Sequence, residues 1–300
     1  MKEKCVLFAT LPALNNMDKV EQVFRNPYIA EVRFNTGAQT PYSPEETLRI
    51  LKQLSVKYRK RLWVDLKGRQ LRVIKWADPL FSCIELNHNI ELEYPAKVFF
   101  RNGDEVNITH VKSGNKIFVD PLPKYALGAG QSVNIIAKDI EIEGYLIDRD
   151  KEYLSACKSL GIRFIMASFV ESFTDLAEIT SLLPRAKIIC KIESEKGLQL
   201  ISQYNMSGRL MAARDDLYLQ TGQNPKMIKH LRSIIKSDPK AICASRIFLS
   251  LQKNDSVDLA DFADLELMYR IGYRRFMLCD NVCNYCFEKA IYAWKEFING

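Results

Sequence analysis

The sequence places a lysine and a glutamate two residues apart in one apolar, strand-like run, and an aspartate at the end of the next. Lys191 and Glu193 lie within KIICKIES (187–194), and Asp216 ends RLMAARDD (209–216). Residues two apart in a strand point to the same face, so Lys191 and Glu193 should share one. Glu193 and Asp216 offer carboxylate oxygens to a hard divalent cation such as Mg²⁺ or Mn²⁺. Lys191 beside that cation could stabilise a phosphate or an enolate oxygen.

Further polar residues stand where other apolar runs end. In chain order, the full set is Arg33, Asn35, Asp65, Lys67, Ser168, Lys191, Glu193, Arg214, Asp215, Asp216, Ser245, Arg246, Cys279 and Asp280. In a barrel of parallel strands, the reactive groups lie at these ends. A structural network of ion pairs that closes the barrel rim would use the same residue types. Spacing alone leaves both interpretations open.

Eight short apolar runs carry these residues, and they alternate with helical patterns. The runs span 5–10, 29–35, 61–67, 164–170, 187–194, 209–216, 241–247 and 274–280. Continuous apolar strands are typical of a parallel sheet covered by helices. Ser43-Pro44-Glu45-Glu46 has the form of a helix start with a capping box. The pattern predicts an α/β fold, a (β/α)₈ TIM barrel. An open doubly wound sheet is the alternative, weakened because no GxGxxG follows the first run.

One stretch breaks the alternation. Between about 78 and 141, turn sequences such as Asn102-Gly103-Asp104 separate short β-type runs at 97–100, 106–111, 116–120 and 132–137. This pattern predicts a small all-β module inserted after the third barrel strand. We therefore expect residues 1–77 to form the first part of the barrel, 78–141 the inserted module and 142–300 the second part.

Composition narrows the function classes. The chain has 300 residues, 47% hydrophobic and 26% charged, which is typical of a folded globular protein. Its net charge of +7 is dispersed, so we expect a small anionic partner and no nucleic acid. We find no signal-peptide pattern and no apolar stretch of the roughly 18 residues that a membrane helix needs. We expect a cytoplasmic protein with no membrane partner, and homo-oligomer formation stays open.

The eight cysteines divide into two groups. Five lie singly in apolar surroundings and are interpreted as buried thiols. Cys279, Cys283 and Cys286 have CxxxCxxC spacing, which also occurs at [4Fe–4S] clusters. Here the motif follows the last strand and leads into a helix, so an Fe–S cluster is not expected.

Several segments carry a family resemblance. KIESEKGLQLI (191–201) followed by RLMAARDDLYL (209–219) resembles the pyruvate kinase pattern KIEN-x-x-G followed by ARGDLG. The other similar segments, in chain order, are VRFNTG (32–37), VDLKGRQLRV (64–73), LGAGQSVNI (127–135), IDRDKEYLSACKSLGIRFIMASFVES (147–172), ICASRIFLSL (242–251) and FMLCD (276–280). These ordered matches cover most of the chain and imply a pyruvate-kinase-like barrel with a reduced B-domain and no C-terminal domain.

The resemblance implies roles on the metal and phosphate side of a site. Glu193 and Asp216 match the divalent-metal ligands of the family. Lys191 matches the lysine that stabilises the transferred phosphoryl group, and Arg33 matches a phosphate-contacting arginine. The family transfers a phosphoryl group between phosphoenolpyruvate and ADP.

The resemblance also implies a cation and nucleotide side. Asn35 and Asp65 match ligands of a monovalent cation, which would be K⁺. Arg72 matches an arginine on the nucleotide side, and Ser245 stands where the family has a threonine near the enolate face. ADP or ATP is therefore a further candidate partner.

This chain departs from the family pattern at six positions. Thr36-Gly37 replaces Phe-Ser and Leu66 replaces a threonine, and the loss of the serine hydroxyl weakens the K⁺ site. Asp215 replaces the glycine before the metal aspartate, Glu171 replaces a basic residue and Asn281 replaces a glutamate. A second carboxylate beside Asp216 is costly unless it is protonated or metal-bound.

These features predict divalent-metal-dependent phosphoryl or enolate chemistry on phosphoenolpyruvate, pyruvate or a related 2-oxo acid. A Mg²⁺- or Mn²⁺-dependent aldolase or lyase that stabilises a pyruvate enolate is the first alternative, in which Arg33 or Arg214 would balance the enolate. A non-catalytic, metabolite-binding regulator is the second.

Overall fold

A computed structural model describes residues 5–75, 83–100, 103–125, 127–203 and 209–300. In chain order its strands are β1 (Val6–Thr10), β2 (Ile29–Asn35), β3 (Arg61–Leu66), β4 (Cys83–Glu85), β5 (Ile90–Leu92), β6 (Ala96–Phe100), β7 (Glu105–Lys112), β8 (Lys116–Asp120), β9 (Val133–Ile136), β10 (Ile140–Ile142), β11 (Phe164–Ala167), β12 (Lys187–Ile192), β13 (Arg209–Ala213), β14 (Ile242–Ala244) and β15 (Arg275–Leu278). Its α-helices are α1 (Met17–Arg25), α2 (Pro44–Lys57), α3 (Asp148–Leu160), α4 (Phe173–Leu182), α5 (Glu195–Gln203), α6 (Arg214–Gln220), α7 (Met227–Ser237), α8 (Leu259–Arg270), α9 (Asp280–Tyr285) and α10 (Phe287–Asn299).

Eight of these strands form a closed barrel in the order β1-β15-β14-β13-β12-β11-β3-β2, and every neighbouring pair is parallel. The predicted TIM barrel is confirmed, and the open-sheet alternative is wrong because β1 pairs with β15. A closed ring of parallel strands brings all eight carboxyl ends to one rim.

The barrel strands are apolar because both of their faces are buried. Inside the barrel, Phe8, Trp63, Met166, Met211 and Met277 fill the space between the strands. The outward-facing residues pack against the helices in a second, larger core. Parallel sheets covered by helices need this two-sided burial, which explains the continuous apolar runs.

The helix α2 begins as its sequence predicts. The Ser43 hydroxyl accepts a hydrogen bond from the backbone N–H of Glu46, and the Glu46 carboxylate accepts one from the backbone N–H of Ser43. Pro44 occupies the first helical position, where its missing N–H costs nothing. This capping box directs the chain from β2 back across the outside of the barrel to β3.

An antiparallel module lies between β3 and α3. It contains a five-stranded sheet in the order β4-β8-β7-β6-β9, with its own apolar core, and a separate β5-β10 ribbon. The strands β6, β7, β8 and β9 match predicted runs, whereas the three-residue strands β4, β5 and β10 were not anticipated because they are too short to show alternation. The predicted boundary at 77/78 lies outside the described residues, and the one at 141/142 stays a prediction.

Within the described ranges, none of the helices combines the length and the apolar character needed to cross a membrane.

Candidate functional site

The polar residues at the carboxyl ends of the barrel strands form two adjoining clusters. We call the first the Arg33 cluster; its members are Arg33, Asn35, Asp65, Lys67 and Asp280. We call the second the Glu193 cluster; its members are Ser168, Lys191, Glu193 and Asp216. The backbone of the barrel thus brings together residues that are far apart in the chain, and it places six of the eight predicted site residues in these clusters.

Arg33 is the centre of its cluster. Its guanidinium donates to Asp65 Oδ2 through Nε and Nη2 at 3.0 and 2.6 Å, and to Asp280 Oδ1 through Nη1 at 2.8 Å. Nη1 also donates to the Thr10 hydroxyl at 3.0 Å. Although burial opposes ionisation, Arg33 and the neighbouring lysines hold the pKa of Asp65 well below its usual range. Arg33 is consequently oriented by two carboxylates before any ligand arrives.

Lys67 completes the charge balance of the Arg33 cluster. Its ammonium donates to Asn35 Oδ1 and lies 3.7 Å from Asp65 Oδ2. Asn35 Nδ2 in turn donates to Asp280 Oδ2 at 2.8 Å. Burial lowers the pKa of Lys67 to about 7, against the opposing attraction of Asp65. Two cations therefore face two carboxylates in this cluster.

In the Glu193 cluster, Lys191 and Glu193 contact each other directly. Lys191 Nζ lies 3.1 Å from Glu193 Oε1 and donates to the Ser168 hydroxyl at 2.7 Å. The other oxygen of Glu193, Oε2, accepts a hydrogen bond from the backbone N–H of Phe169 at 2.7 Å. Both Lys191 and Glu193 are buried. The expected shared face of these two residues is confirmed by this contact.

The Glu193 cluster is short of positive charge. Burial, together with the nearby carboxylates of Asp216 and Asp65, raises the pKa of Glu193 to about 7 against the pull of Lys191. The same carboxylates keep the pKa of Lys191 above its usual value despite burial. Lys191 is therefore the one cation of the cluster that faces the negative charges of Glu193 and Asp216, and an added cation would stabilise both carboxylates.

Asp216 joins the barrel to the β-module. It lies in the first turn of α6, and its Oδ1 accepts a hydrogen bond from Asn134 Nδ2 of β9 at 3.0 Å. Asn134 Oδ1 accepts a hydrogen bond from Gln220 Nε2 at 2.9 Å. The module thus touches the rim at a predicted metal ligand. No sequence signal singled out Asn134, because its role depends on how the module packs.

The donor set suits a divalent cation at Glu193 and Asp216. Both are oxygen donors, and burial without full charge compensation favours an incoming cation. Asp65 Oδ1 also lacks a hydrogen-bond partner among the described residues and lies 3.5 Å from Lys191 Nζ. The described part of the chain contains no group of three or more His, Cys, Asp or Glu arranged as a complete metal site. Any ion would therefore also need ligands from water or substrate.

The remaining predicted residues lie at the edge of the two clusters. Ser245 follows β14 with a φ of 65°, and its backbone carbonyl accepts a hydrogen bond from Arg214. Arg214 also donates to Asp264 and to the backbone carbonyl of Ala244. The guanidinium that was a candidate to balance an enolate is therefore already hydrogen-bonded to protein groups. Arg72 lies at the junction with the module and donates to Gln70 Oε1 at 2.6 Å.

Asp215 and Arg246 form an ion pair at the mouth of the barrel. Arg246 Nε donates to Asp215 Oδ1 at 2.8 Å, and both side chains are about half exposed. Arg246 has a φ of 61°, a left-handed conformation that costs a non-glycine residue free energy. The pair occupies the place where the resemblance led us to expect a glycine.

Sequence reasoning missed several residues that the structure places at the rim. Asp280 and Ser168 were recognised only as strand-end residues, and their contacts with Arg33 and Lys191 were not expected. Asp150, in the first turn of α3, is buried and accepts hydrogen bonds from the backbone N–H groups of Lys67 and Gly68. Its position near a helix start was the only available signal.

A cavity of about 260 Å³ lies beside the clusters, between the β-module and the barrel. Its lining includes Arg69, Asn134, Phe169, Glu171 and Lys196. It borders the Glu193 cluster through Phe169, which donates to Glu193, and through Asn134, which donates to Asp216. The cavity therefore adjoins the Glu193 cluster, but Lys191, Glu193 and Asp216 do not line it.

The three clustered cysteines pack without forming a metal site within the described residues. Cys283 is buried, Cys286 Sγ contacts the backbone carbonyl of Leu251 at 2.9 Å, and Cys279 Sγ accepts a contact from Gln252 Nε2 at 3.8 Å.

The chain is similar to known pyruvate kinases. The family described as "Pyruvate kinase, barrel domain" matches residues 89–269. Pyruvate kinase 1 of Saccharomyces cerevisiae is 25% identical over 237 residues, which cover 67% of this chain and 47% of that protein. The pyruvate kinase of Staphylococcus saprophyticus is 28% identical over 163 residues, covering 51% of this chain and 28% of that protein.

A third relative, the pyruvate kinase of Sporosarcina psychrophila, is 30% identical over 149 residues, covering 47% of this chain and 25% of that protein. The chain thus spans less than half the length of each of these relatives. The matched family segment nevertheless covers more than half of the chain, and the closed parallel barrel is the fold that the resemblance implies. This chain belongs to the pyruvate kinase family.

Proposed function

We propose that the protein binds phosphoenolpyruvate, pyruvate or a related 2-oxo acid and performs phosphoryl or enolate chemistry with Mg²⁺ or Mn²⁺ held by Glu193 and Asp216. The observation that carries this proposal is the charge deficit of the Glu193 cluster, in which one lysine serves two carboxylates. A divalent cation bound there would share the negative charge of a phosphoryl or enolate oxygen.

The protein's own residues would orient the substrate. Ser168 and Glu193 hold the Lys191 ammonium, so it can face a developing negative charge without reorganising. Asp65 and Asp280 hold Arg33 nearby, and its planar guanidinium suits a carboxylate or a phosphate. The two groups together would bind and position a small anion.

A test uses oxalate, a planar mimic of a pyruvate enolate. Calorimetric titration of oxalate should show binding in the presence of Mg²⁺ or Mn²⁺ and none without metal. Glu193→Gln and Asp216→Asn should each weaken that binding by at least about 100-fold, since loss of even an outer partner of a metal ligand costs 10–100-fold. Glu195→Gln, an exposed neighbour, is the matched control and should leave binding unchanged. If millimolar oxalate binds with neither metal, the proposal fails and the non-catalytic alternative gains support.

One observation favours the lyase alternative. The Asp215–Arg246 ion pair replaces the small residue that the family resemblance leads us to expect next to the metal aspartate. Melting temperatures in the presence of metal separate the two chemistries. A rise with ADP or ATP supports phosphoryl transfer, whereas oxalate binding without any nucleotide effect supports the lyase.

A further inference from the structure

We propose that the ammonium group of Lys67 takes the place of the monovalent cation that family membership implies at Asn35 and Asp65. The protein would then need no K⁺ at this point of the rim. This inference deepens the proposed function, because such a cation would complete the same site. Its test needs neither turnover nor oxalate.

The position of the ammonium carries the inference. Lys67 Nζ donates to Asn35 Oδ1 and lies 3.7 Å from Asp65 Oδ2, so it contacts both residues that the resemblance assigns to the ion. The side chain of Lys67 is only 3% exposed, and Asp65 is fully buried. A buried ammonium needs oxygen partners and a counter-charge, and these two residues supply them.

Gly37 makes room for Lys67. A Cβ atom built on Gly37 would lie 2.8 Å from Lys67 Cε and 3.3 Å from its Nζ. A contact of 2.8 Å is essentially never seen for a real Cβ atom, so a larger residue at position 37 would require the end of the Lys67 side chain to shift. The substitution that removes the expected serine hydroxyl is therefore the same one that admits the ammonium.

Two of the oxygens nearest Lys67 already accept other hydrogen bonds, whereas Asp65 Oδ1 accepts none among the described residues and lies 3.5 Å from Lys191 Nζ. Asn35 Oδ1 also accepts from the backbone N–H of Gly37 at 3.0 Å, and Asp65 Oδ2 accepts two hydrogen bonds from Arg33. Leu66 supplies no hydroxyl. A dehydrated K⁺ needs several oxygens at once in place of its water shell. With the Lys67 ammonium at Asn35 Oδ1 and beside Asp65 Oδ2, the residues do not meet that requirement, and only removal of the ammonium would free these two oxygens for an ion.

The charge count agrees with this conclusion. Arg33 and Lys67 already balance Asp65 and Asp280. A further monovalent cation among them would leave the cluster with excess positive charge in a buried environment, which is unfavourable.

The test compares melting temperatures at pH 6.5 in KCl and in choline chloride of equal ionic strength. For the natural protein, we expect the two values to agree within about 1 °C. Lys67→Met should lower the melting temperature by several degrees, and KCl but not choline chloride should restore at least about 3 °C, roughly 1 kcal/mol for a chain of this size. Lys151→Met, at an exposed helical lysine, is the matched control and should show neither effect.

Two results would overturn the inference. One is a K⁺-specific stabilisation of the natural protein, and the other is a folded Lys67→Met variant that is indifferent to K⁺. If Lys67→Met does not fold, crystals of the natural protein soaked in Tl⁺ decide the question. An anomalous peak between Asn35 and Asp65 overturns the inference, and its absence at concentrations that saturate other sites supports it. Failure of metal-dependent oxalate binding would leave all of these measurements unaffected.

Discussion

The two clusters at the barrel rim contain similar residue types but balance their charges differently. In the Arg33 cluster, Arg33 and Lys67 face Asp65 and Asp280. In the Glu193 cluster, Lys191 is shared between Glu193 and carboxylates on both sides. Their pKa shifts differ accordingly, since that of Asp65 is held far below its usual value whereas that of Glu193 is raised to about 7.

Burial alone therefore does not define a binding site. Most members of both clusters are buried, and burial by itself opposes their charges. In the Arg33 cluster, internal partners offset that cost for Arg33 and Asp65, so these two side chains form a pre-ordered part of the rim. The Glu193 cluster lacks that degree of compensation, and it therefore gains most from an added cation. The predictions below test this contrast.

The largest effect is expected for Asp65→Asn. The substitution would leave Arg33, Lys67 and Lys191 without their shared counter-charge, and breaking a buried ion pair costs about 3–5 kcal/mol. Urea denaturation should show a loss of this size. Asp255→Asn, which removes the exposed partner of Lys289, is the control and should cost less than about 1 kcal/mol. Equal losses for the two variants would contradict the assigned role of Asp65.

The next effect is a pH dependence that belongs to Glu193. Its pKa is about 7 in the folded protein and about 4.3 in an unfolded chain. Between these values the folded state binds the extra proton, so the contribution of Glu193 to the free energy of unfolding should fall with rising pH, by up to about 1.4 kcal/mol per unit, and level off above pH 7. Metal-free denaturation at pH 5, 6, 7 and 8 measures this slope. Glu193→Gln lacks the titrating group and should show a flatter profile; superimposable profiles would refute the prediction.

A smaller effect is expected for Asp280→Asn. Arg33 would keep Asp65 but lose the charge of its second partner, which is partly exposed. Hydrogen bonds to charged groups contribute about 1.5–3 kcal/mol, and we expect a loss near the lower value. Denaturation should rank Asp280→Asn clearly below Asp65→Asn. The reverse order would mean that Asp280, and not Asp65, holds the Arg33 cluster together.

The smallest effect is expected for Asp215→Asn, outside both clusters. Its partner is Arg246, and both side chains are half exposed. Solvent screens such pairs, so the free energy of unfolding should change by less than about 1 kcal/mol. A loss comparable with that of Asp65→Asn would show that the mouth of the barrel is coupled to the clusters below it.

Much of the fold could be predicted because the signals are local. The run at 29–35 coincides with β2 (Ile29–Asn35), and the helix start predicted at Ser43-Pro44 coincides with the start of α2 (Pro44–Lys57). Errors occur where a strand leaves the barrel. The run at 241–247 ends as a strand at Ala244, because Ser245 and Arg246 adopt positive φ values. Asp216, expected at a strand end, lies instead in the first turn of a helix.

Local sequence patterns predicted the order of the eight barrel strands, and they marked most of the polar residues at the rim. The pairing of these residues depends on the tertiary structure. Arg33 meets Asp65 across 32 positions and Asp280 across 247, and Asn134 reaches Asp216 from a different sheet. Hydrophobic periodicity is encoded within a few residues, whereas the choice of partner for a buried charge depends on every other charge that the fold brings within a few ångströms.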